Sequence, residues 1–225
     1  MGLIADKPMF LAANPRLKVA SGFTVPPYSD LRPYLLPASN QGTTPQCVAY
    51  AVAGWIEVDS WCRTHLPIQV PPAPIYAEAK RLDGAPESDG TTLEAGIKAA
   101  QNLGYIPQNA VIRIIRTAQE MQFALHTRVP VISAFNVSPG WETVNPKNGF
   151  ISEDARVLGG HAVLVCWCAQ SGVEMAGVDR TEEVPENYGW QNSWGAWGLN
   201  GLGRMTRRQF DRQFAYGCVI EGATA

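Results

Sequence analysis

The sequence predicts an α+β protein of two lobes, helical first and stranded second, with the lobes meeting at a cleft. Three observations predict this. Apolar residues recur at helical spacing through the first half of the chain, from Cys47 to about residue 110. β-Branched and apolar runs take over in the second half, from Val129 onward. The 17 prolines and 21 glycines among 225 residues cut both halves into short elements joined by irregular connections.

Residues 1–27 are Pro-rich and aperiodic and are expected to form an arm before the folded domain of residues 28–225. The turn signals Asn40-Gln41-Gly42 and Thr43-Thr44-Pro45 precede a helix starting at Cys47, with Val48, Ala51, Val52, Trp55, Ile56 and Val58 on its apolar side. A proline-started helix is expected over Ala73 to Leu82. Thr91 and Glu94 fit a capping box before a helix whose stripe is Leu93, Ile97, Ala100 and Leu103, stopped by Gly104. Thr117 and Glu120 repeat the box before a short helix to His126. Strands are expected at Val129–Val137, Ala162–Ala169, Tyr188–Ser193, Gly201–Met205 and Tyr216–Ile220. The helical lobe thus runs over about 40–110 and the β lobe over about 111–225.

Composition narrows the partners. Hydrophobic residues make up 46% and charged residues 17%, and the formal net charge is −2. With no Lys/Arg block, the chain is not built for nucleic acid or an anionic membrane. No apolar run is long enough to span a bilayer, and Asp6, Lys7 and Pro8 interrupt the N-terminus before a secretory core forms. A cytoplasmic protein is expected. The five cysteines are odd in number and irregularly spaced, unlike a disulfide framework. Cys166-Trp167-Cys168 continues a buried-strand pattern and lacks a second pair, so no metal or other cofactor is expected.

The chemistry centres on Cys47. A thiol at the start of a helix meets the positive end of the helix dipole, which favours thiolate. Taken alone, Cys47 is read more readily as a small core residue. A nucleophilic thiol needs a base and something to orient that base. Of the three histidines, His65 follows the Cys47 helix, His126 ends a short helix, and both read as surface or capping residues. His161 sits after Gly159 and Gly160 at the start of a buried strand, where the glycines permit close approach. Asn192 ends a strand signal among Trp190, Trp194 and Trp197, and its amide oxygen suits an imidazole N–H.

Together these pieces resemble the papain-like cysteine peptidases, over about Tyr28 to Ile220. SDLRPYLLPASNQGTTPQCVAYAV is similar to the family's Asp-Leu-Arg lead-in, Gln-Gly and nucleophile helix, with the family's offset between Gln41 and Cys47. DGTTLEAGIKAAQNLGYIP resembles the helix after its glycine-containing substrate strand, and TAQEMQFALHTRVPVISAFNV the entry to its β lobe. GGHAVLVCW and NSWGAWG resemble its histidine and asparagine motifs. The resemblance implies a two-lobe fold with an antiparallel, barrel-like β lobe. It further implies Cys47 as nucleophile, His161 as acid/base, Asn192 as its orienter, and Gln41 with the Cys47 N–H as oxyanion donors. Gly90, Gly160 and Trp194 would face the substrate, with Trp194 shielding the His161–Asn192 bond. The implied reaction is hydrolysis of a peptide or protein substrate through a thioester.

The pattern also departs from the family. Thr44-Pro45-Gln46 fills a turn that usually holds small residues or cysteine, and Val48 replaces the usual aromatic. Trp194 and Trp197 are one residue closer than usual, and QSGVEMAGVDRTEEVPENYG reads as an inserted hairpin or loop. Only about 27 residues precede the resembling region, so no long inhibitory pro-segment is expected. Two other functions fit these departures. One is a catalytically silent structural or binding protein of a larger assembly such as a virion, docked through the arm. The other is an amidase- or transglutaminase-type acyl transferase on the same residues.

Overall fold

The computed structural model describes residues 2–173 and 184–222. Half of the inserted segment expected before Asn192, residues 174–183, therefore lies outside the described residues. Its near ends meet where the Gly172 N–H donates to the Val184 carbonyl at 2.8 Å.

Helices dominate the first half. A one-and-a-half-turn helix, α1 (Pro8–Ala13), starts on a proline whose missing N–H costs nothing there. The central helix, α2 (Cys47–Thr64), buries Val48, Val52, Trp55, Ile56 and Val58 and ends on His65 in the left-handed region. It packs beside α3 (Pro72–Leu82) and α4 (Leu93–Asn102). Gly96 allows the close approach of α4 to α2, since a Cβ there would lie 2.6 Å from Val48.

The second half, joined by one strand from near the N-terminus, forms a seven-stranded antiparallel sheet from β1 (Tyr28–Asp30), β2 (Val111–Ile115), β3 (Val131–Val137), β4 (Gly159–Ala169), β5 (Asn187–Gln191), β6 (Leu202–Thr206) and β7 (Phe214–Glu221). The order is β2-β7-β3-β4-β5-β6, with β1 added to β4. The long β4 pairs with β3 over residues 159–165 and with β1 over 167–169, while β5 holds its other edge. Helix α5 (Ala118–His126) carries the expected Thr117/Glu120 capping box, and α7 (Arg207–Gln213) a second, Thr206/Gln209. A helical turn, α6 (Trp197–Asn200), precedes β6. The Trp55 indole crosses from α2 to the sheet, donating to the Pro130 carbonyl at 2.9 Å. The lobes are thus joined through a buried core.

Several expectations shift. Thr92, not Thr91, caps α4, accepting from the Ala95 N–H. Glu94 closes no box there, because with Thr92 as the cap the third helical position is Ala95; Asp6 from the arm accepts from the Leu93 and Glu94 N–H groups. Leu103 leaves the predicted stripe: it is 42% exposed beyond the last turn. β1, β2, α1 and α7 were not foreseen; β1 is only three residues long, and β2 carries Arg113 within its apolar run. The five cysteines are free thiols, with Cys166, Cys168 and Cys218 buried in strands. Among the described residues, no helix is long and apolar enough to cross a membrane.

Candidate active site

Cys47 is the first residue of α2, where the earliest helical N–H groups lack intrahelical partners. Its side chain has no exposed surface. Burial pushes the thiol up, while the N–H groups of Ala162, Gly2 and Val48 act on the sulfur in the opposite direction. The helix N-terminus also favours the thiolate.

His161 is the third residue of β4 and sits opposite Phe135 of β3. Its Nε2 lies 2.9 Å from Asn192 Oδ1. An amide oxygen only accepts, so this contact places the proton of the neutral ring on Nε2. Nδ1 is then the lone-pair nitrogen, buried and without a hydrogen-bond partner. Burial lowers the imidazole to about 4, against the opposing pull of Asn192. The thiol and imidazole belong to one locality, because the Ala162 N–H that reaches the sulfur follows His161 in β4. No hydrogen bond joins the two side chains while the cleft is closed.

A wall of indoles dries the ring. Trp194 lies tilted over His161 with centroids 4.7 Å apart, and Trp141 meets it edge-on at 5.9 Å. Trp141 packs on Trp190 and receives the Trp197 N–H on its carbonyl. Trp141 lies 20 residues before His161, in the one-turn 3-10 helix Pro139–Trp141, and no local pattern ties it to the site.

Gln41 is fixed from the opposite lobe. Its backbone N–H donates to the Ser193 carbonyl at 2.8 Å, and its Oε1 accepts from Ser193 Oγ at 2.5 Å. Nε2 donates to the Thr44 carbonyl at 2.6 Å, which uses one of its two hydrogens. The Ser193 N–H donates to Asn192 Oδ1 at 2.8 Å. Ser193 therefore links Gln41 to Asn192 and through it to His161, a role the sequence reading did not assign.

The cleft is occupied by the chain itself. The Gly2 carbonyl accepts from the Thr91 N–H, and the Ile4 N–H donates to the Thr91 carbonyl, both at 2.9 Å. Leu3 faces Thr91 in a parallel bridge. Gly90 and Gly160 are glycines because the arm passes over them. A Cβ on Gly90 would lie 2.1 Å from the Gly2 carbonyl oxygen, and one on Gly160 would lie 2.9 Å from that of Leu3. Gly2 in turn admits Pro45, whose carbonyl oxygen would lie 2.1 Å from an added Cβ. Asp6 then latches the arm, accepting from the Leu93 and Glu94 N–H groups and the Tyr216 hydroxyl.

No family model matches the sequence, and no curated protein matches it. Solved structures do. Xylellain, a cysteine protease from Xylella fastidiosa, superposes with a TM-score of 0.67 at 20% identity, covering 98% of this chain and 94% of that one. A procathepsin B from Trypanosoma congolense gives 0.70 at 12% identity, over 98% and 86% of the two chains. A procathepsin L from the larval midgut of Tenebrio molitor gives 0.68 at 14%, over 92% and 73%. The chain has the papain-like cysteine-protease fold.

Within this papain-like chain, the fold gathers Cys47, His161, Asn192, Gln41 and Trp194 into one region. It sets Gly90 and Gly160 against the arm. It leaves His65 at the end of α2 and His126 at the end of α5, where His126 packs on Phe23. Among the described residues, no cluster of three metal-ligating side chains occurs.

Proposed function

We propose that this chain is a cysteine peptidase held closed by its own first residues. The observation that carries the reading is the tautomer imposed on His161. With Nε2 committed to Asn192, the free Nδ1 lone pair belongs to the ring adjoining the strand residue that touches the Cys47 sulfur.

In the open cleft, His161 Nδ1 takes the thiol proton, giving a thiolate–imidazolium pair. The thiolate attacks a peptide carbonyl carbon. The developing oxyanion is met by the Cys47 backbone N–H and the remaining Nε2 hydrogen of Gln41, donors worth a few kcal/mol each when aimed at that charge. Collapse breaks the C–N bond as the imidazolium protonates the leaving amine. Water, deprotonated by His161, then hydrolyses the thioester. Asn192 keeps the ring in register throughout, and Trp194 keeps water off their bond. The substrate main chain takes the Thr91 N–H and C=O groups now used by the arm.

The arm is not itself poised for cleavage. At the sulfur it presents the Gly2 N–H, a donor, while the Gly2 carbonyl is engaged by Thr91. Complete burial of Cys47 and His161 also suits a silent scaffold of the kind outlined from the sequence. One experiment separates the two. Intact mass is measured after treatment with a peptidyl epoxide for the wild type, Cys47→Ala and His161→Ala. A single adduct, lost in the first variant and slowed in the second, supports the peptidase. Well-folded wild type with no preferential adduct, even after deletion of residues 1–7, rules it out.

A further inference from the structure

The segment that receives the arm has little side-chain core of its own. Residues 83–90 read DGAPESDG, with Gly84 and Gly90 at positive φ and only Ala85 and Pro86 apolar. Such a stretch has no hydrophobic reason to hold one shape. It is organised instead by a single cation. Lys80, in the last turn of α3, directs Nζ beneath the loop, where it meets Asp83 Oδ2 at 2.8 Å and three backbone carbonyls: Ala85 at 2.7 Å, Ser88 at 3.0 Å and Gly90 at 2.9 Å. An ammonium has three hydrogens, so the four oxygens around it share them, at least one hydrogen serving two acceptors. The Asp83 carboxylate is covered by the loop and also accepts from the Ala85 N–H at 2.8 Å.

The last of these carbonyls belongs to Gly90, whose neighbour Thr91 offers the main-chain N–H and C=O that pair with the arm. We infer that Lys80 is a positioning residue for peptide binding, its ammonium holding the Gly90–Thr91 segment in the geometry that an extended main chain can pair with. This rests on the peptidase reading for its consequence in activity, but not for its consequence in arm docking. Lys80 touches neither the thiol nor the imidazole, so its removal acts on recognition of the chain and not on the nucleophile.

The test compares wild type with Lys80→Met and Lys80→Arg in the full chain, using two reagents for Cys47. Iodoacetamide needs only an open, reactive thiol. A peptidyl epoxide also needs main-chain pairing. Both require the arm to leave, so the ratio of their rate constants cancels arm opening. The ratio is expected to fall about tenfold in Lys80→Met, and less in Lys80→Arg, which keeps a charge but spreads its donors in a plane. Hydrogen exchange at the Thr91 and Ile4 amides provides a readout independent of chemistry: exchange is expected to quicken about tenfold, while Ile97 and Ala100 in α4 keep their wild-type rates. A folded Lys80→Met with an unchanged ratio and unchanged protection at Thr91 and Ile4 overturns the inference. If wild-type Cys47 labels with neither reagent, the peptidase reading fails and the exchange data alone decide the role of Lys80.

Discussion

His161 Nε2 lies 2.9 Å from Asn192 Oδ1, in a pocket walled by Trp141 and Trp194. The contact decides which ring nitrogen is free. Replacing Asn192 with Ala leaves the buried Nε2–H without an acceptor and the ring without its orienter, at a cost of about 1–3 kcal/mol. Peptidyl-epoxide labelling of Cys47 is expected to slow at least tenfold, about 1.4 kcal/mol, with circular dichroism unchanged. An unaffected rate would mean that Asn192 only packs.

The same burial makes stability depend on pH through His161. Its folded value near 4 lies below the ordinary 6.5. The neutral ring therefore contributes stability that is fully present above pH 6.5 and lost as pH falls towards 4, up to about 3 kcal/mol. Asp6 acts in the opposite sense, since burial raises its carboxyl despite the Tyr216 and Glu94 hydrogen bonds. The comparison must therefore be a difference. Urea unfolding of wild type and His161→Gln between pH 4 and 7 should show the wild type losing stability relative to the variant as the solution is acidified. Parallel curves would remove His161 from the linkage.

The arm should protect the thiol. Deleting residues 1–7 removes the Gly2 and Ile4 pairing with Thr91 and the Asp6 latch. The iodoacetamide rate at Cys47 is then expected to rise about tenfold or more, because modification no longer waits on local opening. Equal rates in the deleted and full chains would show that the arm does not limit access.

Gly90→Ala tests the same contact from the other side. The substitution sets a Cβ against the Gly2 carbonyl, at a backbone position with φ +86°. Strain of about 1–3 kcal/mol is expected, with a lowered Tm and faster iodoacetamide labelling. A lowered Tm with slower labelling would contradict the placement of the arm over Gly90.

Ser193→Ala removes one side-chain link between the lobes and keeps the bond from the Gln41 N–H to the carbonyl of residue 193. Gln41 Oε1 loses its 2.5 Å donor, and the amide is freer to turn. Peptide turnover should fall while iodoacetamide labelling holds, because alkylation forms no oxyanion. A parallel change in both would assign Ser193 to packing alone.

Much of this was legible in the chain. The stripe from Val48 to Val58 placed Cys47 at a helix start, because helical periodicity is a local property. The glycines and the apolar run from Ala162 placed His161 just before a buried strand for the same reason, and the strand itself extends back to Gly159. Thr117 and Glu120 announced α5, since a capping box is written within four residues. The same signal at Thr91 and Glu94 misled by one position. The other acceptor there, Asp6, lies 87 residues from Leu93, so no local reading could weigh it.

The order of elements and the residue types of the site are written locally in the chain: a thiol at a helix start, an imidazole at the rim of a strand, an amide among indoles. Each depends on neighbours a few residues away. Which of these groups meet is settled by folding alone. Ser193 reaches Gln41 across 152 positions, and the Gly2 carbonyl reaches the Thr91 amide in the cleft. Those contacts depend on how the two lobes pack, and packing is a property of the whole chain that no short segment carries.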